Sequence, residues 1–336
     1  MNVLLIGGNR FVGYQLAWRL LAAGHRLILL NRGTLDDGLG DRVERLRGDR
    51  TTGDFARLTA GRTFDAVVDF AAFTAEDTRQ AAEALRGRVG HYVMISTGQV
   101  YLVREPRPVG PARESDYAGP LLPEPKGPGE WKEWDYGMGK RGAEDALVAA
   151  FASHRLPSTR LRIPMVNGER DYYRRLEGYL WRLLDGGPIL LPDGGTHPTR
   201  HVYGGSVARA IVRILGDPRT FGQAYNLAQE ETPTLVELLG LVAEILGAPA
   251  RFVAVPRATL EASGLEPVKV SPFSGRWMSF LDPARARDEL GFRHEPLRQY
   301  LDKVVSDFVN HPRAAPPPGY RTRAQERALA EGHSTR

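Results

Sequence analysis

Short apolar runs without a polar face alternate with stretches of helical periodicity over the first half of the chain. Val3-Leu4-Leu5-Ile6 is the first such run, the pattern of a strand buried on both sides. Gly7 and Gly8 break it. From Phe11 to Ala23 the apolar residues Phe11, Leu16, Leu20 and Leu21 recur at helical spacing, and Gly24 marks the stop. Arg26–Leu30 reads as a second strand, and a weak third ends at Gly48-Asp49-Arg50. Phe64–Phe70 and His91–Ser96 are the fourth and fifth strands, with a helix over 75–86 between them, and Ser158–Ile163 is the sixth. Strands and helices alternating in this rhythm predict an α/β protein with a doubly wound parallel sheet.

The pattern loosens over 102–135. Pro106, Pro108, Pro111, Pro120, Pro123, Pro125 and Pro128 fall within it, a density that predicts neither helix nor strand. A loop of that length in a compact domain is usually a lid or the wall of a site. It delivers Trp131 and Trp134, and the next helix is predicted to open at Tyr136 and run to about His154. Further on, Asp171–Leu184 and Val207–Leu215 read as helices, and Ile189–Pro192 and Arg200–Tyr203 as short strands flanking Gly194-Gly195. Thr234 with Glu237 forms a capping box ahead of a helix over Leu235–Leu246, which Gly247 closes. Asp282-Pro283 starts another that stops before Gly291. From Pro312 the chain is Pro-rich and then charged, which predicts a wrapped or partly disordered arm. The expected division is 1–165, 166–310 and 311–336.

At 336 residues the chain suits one large domain or two smaller ones. It has no cysteine, which excludes disulfides, thiolate metal sites and a cysteine nucleophile, and its eight histidines show no metal-ligand spacing. No apolar run approaches the roughly 18 residues of a membrane span, and Met1 leads directly into the first strand without a signal peptide, so the expected location is the cytoplasm. The net charge of +5 comes from arginines spread along the chain and mixed with Asp and Glu. That distribution argues against a dedicated nucleic-acid surface and reads first as bland, with anionic small substrates and RNA as the alternatives.

Candidate chemistry begins at the first turn. A buried strand, a glycine turn of Gly7, Gly8, Asn9, Arg10, Phe11, Val12 and Gly13, a helix and a second strand within about thirty residues form the unit that seats a pyrophosphate on a helix N-terminus. Its glycines allow backbone N–H groups to approach phosphate oxygens. At the end of the second strand an acidic residue would bind the ribose hydroxyls of NAD, whereas arginine accommodates the 2′-phosphate of NADP. The chain has Asn31-Arg32-Gly33 there, which favours NADP(H), with NAD(H) as the alternative.

These residues resemble the opening of the extended short-chain dehydrogenase/reductase family, also called the NAD-dependent epimerase/dehydratase family. Its members usually carry Gly-x-x-Gly-x-x-Gly here; Arg10 replaces the middle glycine, as in an atypical branch that includes chloroplast stem-loop-binding proteins. The resemblance implies a Rossmann-type sheet with a smaller C-terminal α/β substrate domain. It implies that Asp49 contacts the adenine, and that Ala71 and Ala72 let backbone pass close to the cofactor. Ser96 and Thr97 fall at the carboxyl end of the fifth strand, with Thr97 matching the family's hydroxyl four residues before Tyr101. Tyr136-Gly-Met-Gly-Lys140 matches its Tyr-x-x-x-Lys motif.

At i and i+4 Tyr136 and Lys140 share a helical face, and an ammonium beside a phenol favours phenolate. The implied roles are general acid/base for Tyr136, support of that tyrosine and of the nicotinamide ribose for Lys140, and orientation of the substrate oxygen for Thr97. Arg162, Pro164 and Gly168 match the run where the family's chain leaves the cofactor domain, so Pro164 joins the cofactor residues. Trp134, Asn167, Arg174 and Arg200 are the substrate candidates. Ser206 stands where the family often has Asp. The expected activity is an NAD(P)-dependent oxidoreductase or isomerase of the epimerase, dehydratase or reductase kind, with a nucleotide-sugar or similar substrate. The expected assembly is a homodimer. The competing expectation is a non-catalytic RNA-binding or regulatory protein on the same fold.

Overall fold

In the computed structural model, which describes residues 1–334, the elements follow in the order β1 (Asn2–Ile6), α1 (Phe11–Ala22), β2 (Arg26–Asn31), β3 (Glu44–Arg47), α2 (Asp54–Thr59) and β4 (Ala66–Asp69). Next come α3 (Ala75–Ala84), β5 (Tyr92–Thr97), the single turn α4 (Gln99–Leu102), α5 (Pro128–His154), β6 (Ser158–Ile163) and β7 (Val166–Asn167). Then follow α6 (Arg175–Leu184), β8 (Ile189–Pro192), β9 (Val202–Tyr203), α7 (Gly204–Ile214), β10 (Ala224–Asn226), α8 (Leu235–Leu246) and β11 (Phe252–Val255). The last are α9 (Arg257–Ala262), α10 (Pro267–Val270), α11 (Ala284–Leu290), α12 (Leu297–Asn310) and α13 (Arg323–Ser334). They form two compact units. The first holds Met1–Val166, Val202–Ala228 and Ser279–His294; the second holds Asn167–His201, Gln229–Met278 and the chain from Glu295 onward.

The first unit is built on a seven-stranded sheet of order β3-β2-β1-β4-β5-β6-β10. Every neighbouring pair is parallel. Strands β1, β2, β4 and β5 are apolar on both faces because both are covered. Val3, Leu5 and Val68 pack with Leu16 and Leu20 of α1 and Val207 and Ile211 of α7. Leu4, Ile6, Val67 and Met94 pack with Ala81 of α3 and Ala143 and Leu147 of α5. The strand order reverses between β1 and β4, and at such a switch point the carboxyl ends open a crevice.

In the second unit β8 and β11 pair in parallel, with Ile189 opposite Phe252. Thr234 and Glu237 cap α8 reciprocally and Gly247 ends it in the left-handed region, as the sequence predicts.

Three boundaries differ from expectation. Helix α5 begins at Pro128, so Trp131 and Trp134 are helical and Tyr136 lies in its third turn rather than at its opening. Proline is a barrier only inside a helix; at the first position its fixed φ suits helix entry. Helix α6 begins at Arg175 rather than Asp171. The Asp171 carboxylate accepts from the N–H groups of Tyr173 and Arg175 at 3.0 and 3.1 Å, and Arg174 takes φ 54° at the cap. Last, the C-terminal segment, expected as a wrapped or partly disordered arm, is helical over Arg323–Ser334 and belongs to the second unit. Helix α13 buries Glu326 in an ion pair with Arg182 at 2.6 Å, and Arg323 pairs with Asp185.

Candidate active site

The glycine turn closes the carboxyl end of β1. Gly7 and Gly8 adopt φ 73° and 64°, conformations that disfavour any side chain, and Gly7 N–H donates to Leu30 O at 2.9 Å. A Cβ on Gly13 would lie 2.3 Å from Gly8 O and 2.4 Å from Gly8 Cα, so the start of α1 rests directly on the turn. Arg10, in place of the middle glycine, sits at φ −132° and ψ 158°, extended backbone that costs a side chain nothing. The positive φ falls instead on Phe11, at 45°. Helix α1 has no side-chain cap and no acidic residue in its first turn. Its N-terminal dipole and first N–H groups therefore meet no carboxylate from that turn, which suits a pyrophosphate. The residues present fit a dinucleotide.

Next to this turn, the loop after β4 is shaped by Asp69. Its buried carboxylate accepts from Ala71 N–H at 2.7 Å, from Arg50 Nη1 at 2.7 and 2.8 Å, and from the Tyr92 hydroxyl. Ala71 is thereby held beside Gly7, where a methyl group on the glycine would meet Ala71 Cβ at 3.4 Å. Ala72 is buried.

Helix α5 supplies the other wall. Lys140 is 2% exposed and donates from Nζ to Ile95 O of β5 at 2.9 Å. Burial pushes its ammonium down to about 8, against the opposing pull of Asp69 and Glu144. Its Nζ lies 4.7 Å from the ring centroid of Phe73, and that ring lies 6.5 Å from the ring of Tyr136, which is 36% exposed. Phe73 thus neighbours both members of the Tyr-x-x-x-Lys pair. The glycines within that motif are explained by this approach. A Cβ on Gly139 would stand 2.7 Å from Phe73 O, and one on Gly137 2.7 Å from Val103 Cγ1. Their cost in helix propensity is the condition for α5 to lie this close.

One turn beyond Lys140, Glu144 is fully buried. Both its oxygens meet Arg162 of β6, with Nη2 at 2.6 Å, and it accepts the Ser96 hydroxyl. Burial alone would raise the Glu144 carboxyl, but the Arg162 guanidinium and the Ser96 hydroxyl hold it below the usual range. The Ser96 side chain is therefore committed to this ion pair. Thr97, 8% exposed at the end of β5, accepts from Gln99 N–H at 3.3 Å.

Asn31, Arg32 and Asp49 lie on the β2–β3 side of the sheet. Asn31 Oδ1 accepts from Gly33 N–H at 2.9 Å and Arg47 Nη1 at 2.7 Å. Arg32 is exposed and stands 4.0 Å from Asp49, whose carboxylate is otherwise taken up by Thr51. Pro164 is buried just after β6. Trp134 donates from Nε1 to Leu122 O at 3.0 Å, tying α5 to the loop.

Within the second unit, Asn167 is buried against His201 Nδ1 at 2.9 Å, and Arg174 is bound to Glu177 and Ala315 O. Arg200 donates to Thr232 Oγ1 at 2.9 Å. Sequence reasoning did not identify Asp69, Glu144 or Phe73. The spacing of Lys140 and Glu144, one helical turn apart, was the available signal for the second.

The fold is that of a Rossmann-like α/β protein, and comparison with known proteins narrows the class. Residues 3–228 match the model of the NAD dependent epimerase/dehydratase family, and the chain belongs to that family. A chloroplast stem-loop binding protein of 41 kDa from Arabidopsis thaliana is 26% identical over 262 residues, 74% of this chain; the match spans 64% of the plant protein's length.

Among solved structures, UDP-glucose 4-epimerase from Thermotoga maritima, determined with UDP-glucose, superposes with a TM-score of 0.72 at 20% identity, covering 92% of this chain and 99% of the other. UDP-glucuronic acid 4-epimerase from Bacillus cereus, determined with UDP-glucuronic acid and NAD, gives 0.70 at 20% identity over 92% and 99%. dTDP-glucose 4,6-dehydratase from Bacillus anthracis, with NAD, gives 0.70 at 17% over 93% and 97%. At these identities the likeness is one of fold. Among the described residues no helix is long and apolar enough to cross a membrane.

Proposed function

We propose that the chain is an NAD(P)-dependent oxidoreductase of the epimerase, dehydratase or reductase type, acting at a hydroxyl or carbonyl carbon of a nucleotide-sugar or similar small molecule. The observation that carries this reading is the buried Lys140 ammonium, held on Ile95 O of β5 one helical turn from Tyr136, together with the glycine turn that leads into the uncapped helix α1. A bound nicotinamide would supply the hydride chemistry. The turn of Gly7 to Gly13 would hold the pyrophosphate, and the Ala71–Ala72 loop would form the wall beside it. Tyr136 would give or take the proton at the substrate oxygen, with its phenolate favoured by the positive charge of Lys140. Thr97 would orient that oxygen. Asp69 and Glu144 act through Lys140, since their charges oppose the loss of its proton on burial.

For the cofactor, no carboxylate ends β2, while Arg32 and Arg47 flank Asn31. That set favours NADP(H), although the structural neighbours named above were determined with NAD. The nucleotide-sugar class is supported by the ligands of those neighbours. A homodimer through α3 and α5 belongs to the same reading; Val148 of α5 is 43% exposed.

The test is Tyr136→Phe. Dinucleotide-dependent turnover of UDP-glucose, UDP-glucuronic acid or a sugar ketone should fall by roughly 10²–10⁴-fold, with folding and dinucleotide binding unchanged. Undiminished turnover would remove Tyr136 from the chemistry. A second reading, RNA binding without catalysis, is favoured by the plant relative's name and by Arg10 in the turn. It requires tight, salt-sensitive RNA binding that Tyr136→Phe leaves intact.

A further inference from the structure

The far edge of the sheet, away from the glycine turn, carries an open cleft of about 750 Å³ within the first unit. Strands β6 and β10 form its floor, and the 113–118 turn and the start of α11 form its rims. Four guanidiniums line it, those of Arg113, Arg160, Arg162 and Arg285, against two carboxylates, Glu114 and Asp282.

Most of these charges have partners. Arg162 is paired with Glu144, Arg113 stands 3.2 Å from Asp282, and Arg285 2.9 Å from Glu289. Glu114 is engaged at its Oε1 by Asn226 N–H at 2.7 Å. Arg160 is different. It donates to backbone carbonyls, Nη2 to Gly222 O at 2.7 Å and Nε to Gln223 O at 3.4 Å, and among the described residues no carboxylate forms an ion pair with it. Burial pushes its guanidinium below the ordinary value against the opposing pull of the Glu144 carboxylate, and the like charge of Arg162 adds to the lowering. Burial pushes the Glu114 carboxyl above its ordinary value, against the hydrogen bond it accepts from Asn226 N–H.

A half-buried guanidinium with no carboxylate in ion-pair contact, in a concave site of small-molecule size, suits an anion. Planar guanidiniums match phosphate oxygens in pairs. We infer that this cleft binds the phosphate group of a small organic ester, with Arg160 as the central charge and Arg285 and Arg113 on either side. Its volume exceeds what inorganic phosphate fills, so the ligand carries a further moiety lying towards the 113–118 turn. The site is separate from the crevice at β1 and β4, and the proposal stands whether or not Tyr136 is catalytic.

The experiment is calorimetric titration of the full chain with inorganic pyrophosphate, with and without excess NADH and NADPH. Wild type is expected to bind pyrophosphate in the presence of either dinucleotide. Arg160→Gln should weaken that binding roughly tenfold or more, because a charge-assisted pair is lost, and Arg285→Gln should weaken it to a smaller extent. Should Arg160→Gln fail to fold, Arg285→Gln and the charge-preserving Arg160→Lys carry the test. Equal affinity in wild type and the Arg285→Gln and Arg160→Gln proteins overturns the proposal. So does competition by the dinucleotides, which would place the anion at the glycine turn. Tighter binding of a single-stranded RNA oligomer than of pyrophosphate, lost in Arg160→Gln, would also overturn it in favour of a nucleic-acid surface.

Discussion

Lys140 is a buried cation, and the cost of keeping it so can be read from the pH dependence of stability. In the unfolded chain its ammonium titrates at 10.5; in the native protein burial lowers that to about 8. The separation corresponds to roughly 3 kcal/mol. Below pH 8 both states hold the proton and the native state bears the whole penalty. Between pH 8 and 10.5 the unfolded chain binds a proton that the native protein has released, so stability rises with pH across that window. Above 10.5 the penalty is gone.

Lys140→Met keeps the volume of the side chain and removes the titration. The constant contributions, including the lost bond to Ile95 O and the contact with Phe73, shift the variant's curve without tilting it. The assay is urea unfolding of both proteins from pH 7 to 10.5. The wild-type-minus-variant difference should rise by about 3 kcal/mol over the window, on a background common to both. Parallel curves would mean that the ammonium is solvated in the native state, and the field assigned to it at Tyr136 would fall with that result.

Other outcomes follow from the same geometry. Glu144→Ala leaves the Arg162 guanidinium, 2% exposed, without its carboxylate, and should cost about 3–5 kcal/mol in urea unfolding; replacing the pair together by Leu and Met should cost far less. Gly13→Ala sets a methyl 2.3 Å from Gly8 O, where only backbone can move. It should destabilise the protein by roughly 1–3 kcal/mol and abolish dinucleotide binding by equilibrium dialysis. Arg32→Asp should reverse the cofactor preference from NADP(H) towards NAD(H) in competition binding; an unchanged ratio would show that the β2 end does not select the cofactor.

The parallel sheet was legible because each central strand is apolar on both faces and each is followed by a glycine, a cap or an amphipathic helix. Capping chemistry did as well: Thr234, Glu237 and Gly247 bound α8 where the sequence places them. The start of α5 was hidden because proline density reads as loop, although its last member, Pro128, opens the helix. Helix α13 was hidden because its order comes from Arg182 and Asp185, more than a hundred residues upstream. At the site, the glycine turn and the Tyr136–Lys140 spacing are local patterns. The charges that tune Lys140 arrive from β4 and from a helical turn beyond it. The contact with Phe73 depends on backbone approach that Gly139 permits and that spacing alone does not reveal.

The central claim is that the turn between β1 and α1 holds a nicotinamide dinucleotide. The most direct measurement is the melting temperature of the wild-type chain titrated separately with NAD, NADH, NADP and NADPH. A ligand at about a hundred times its dissociation constant stabilises by about 2.7 kcal/mol, so at least one of the four should raise the midpoint by several degrees, saturably. Midpoints that stay fixed for all four up to millimolar concentration would contradict the account.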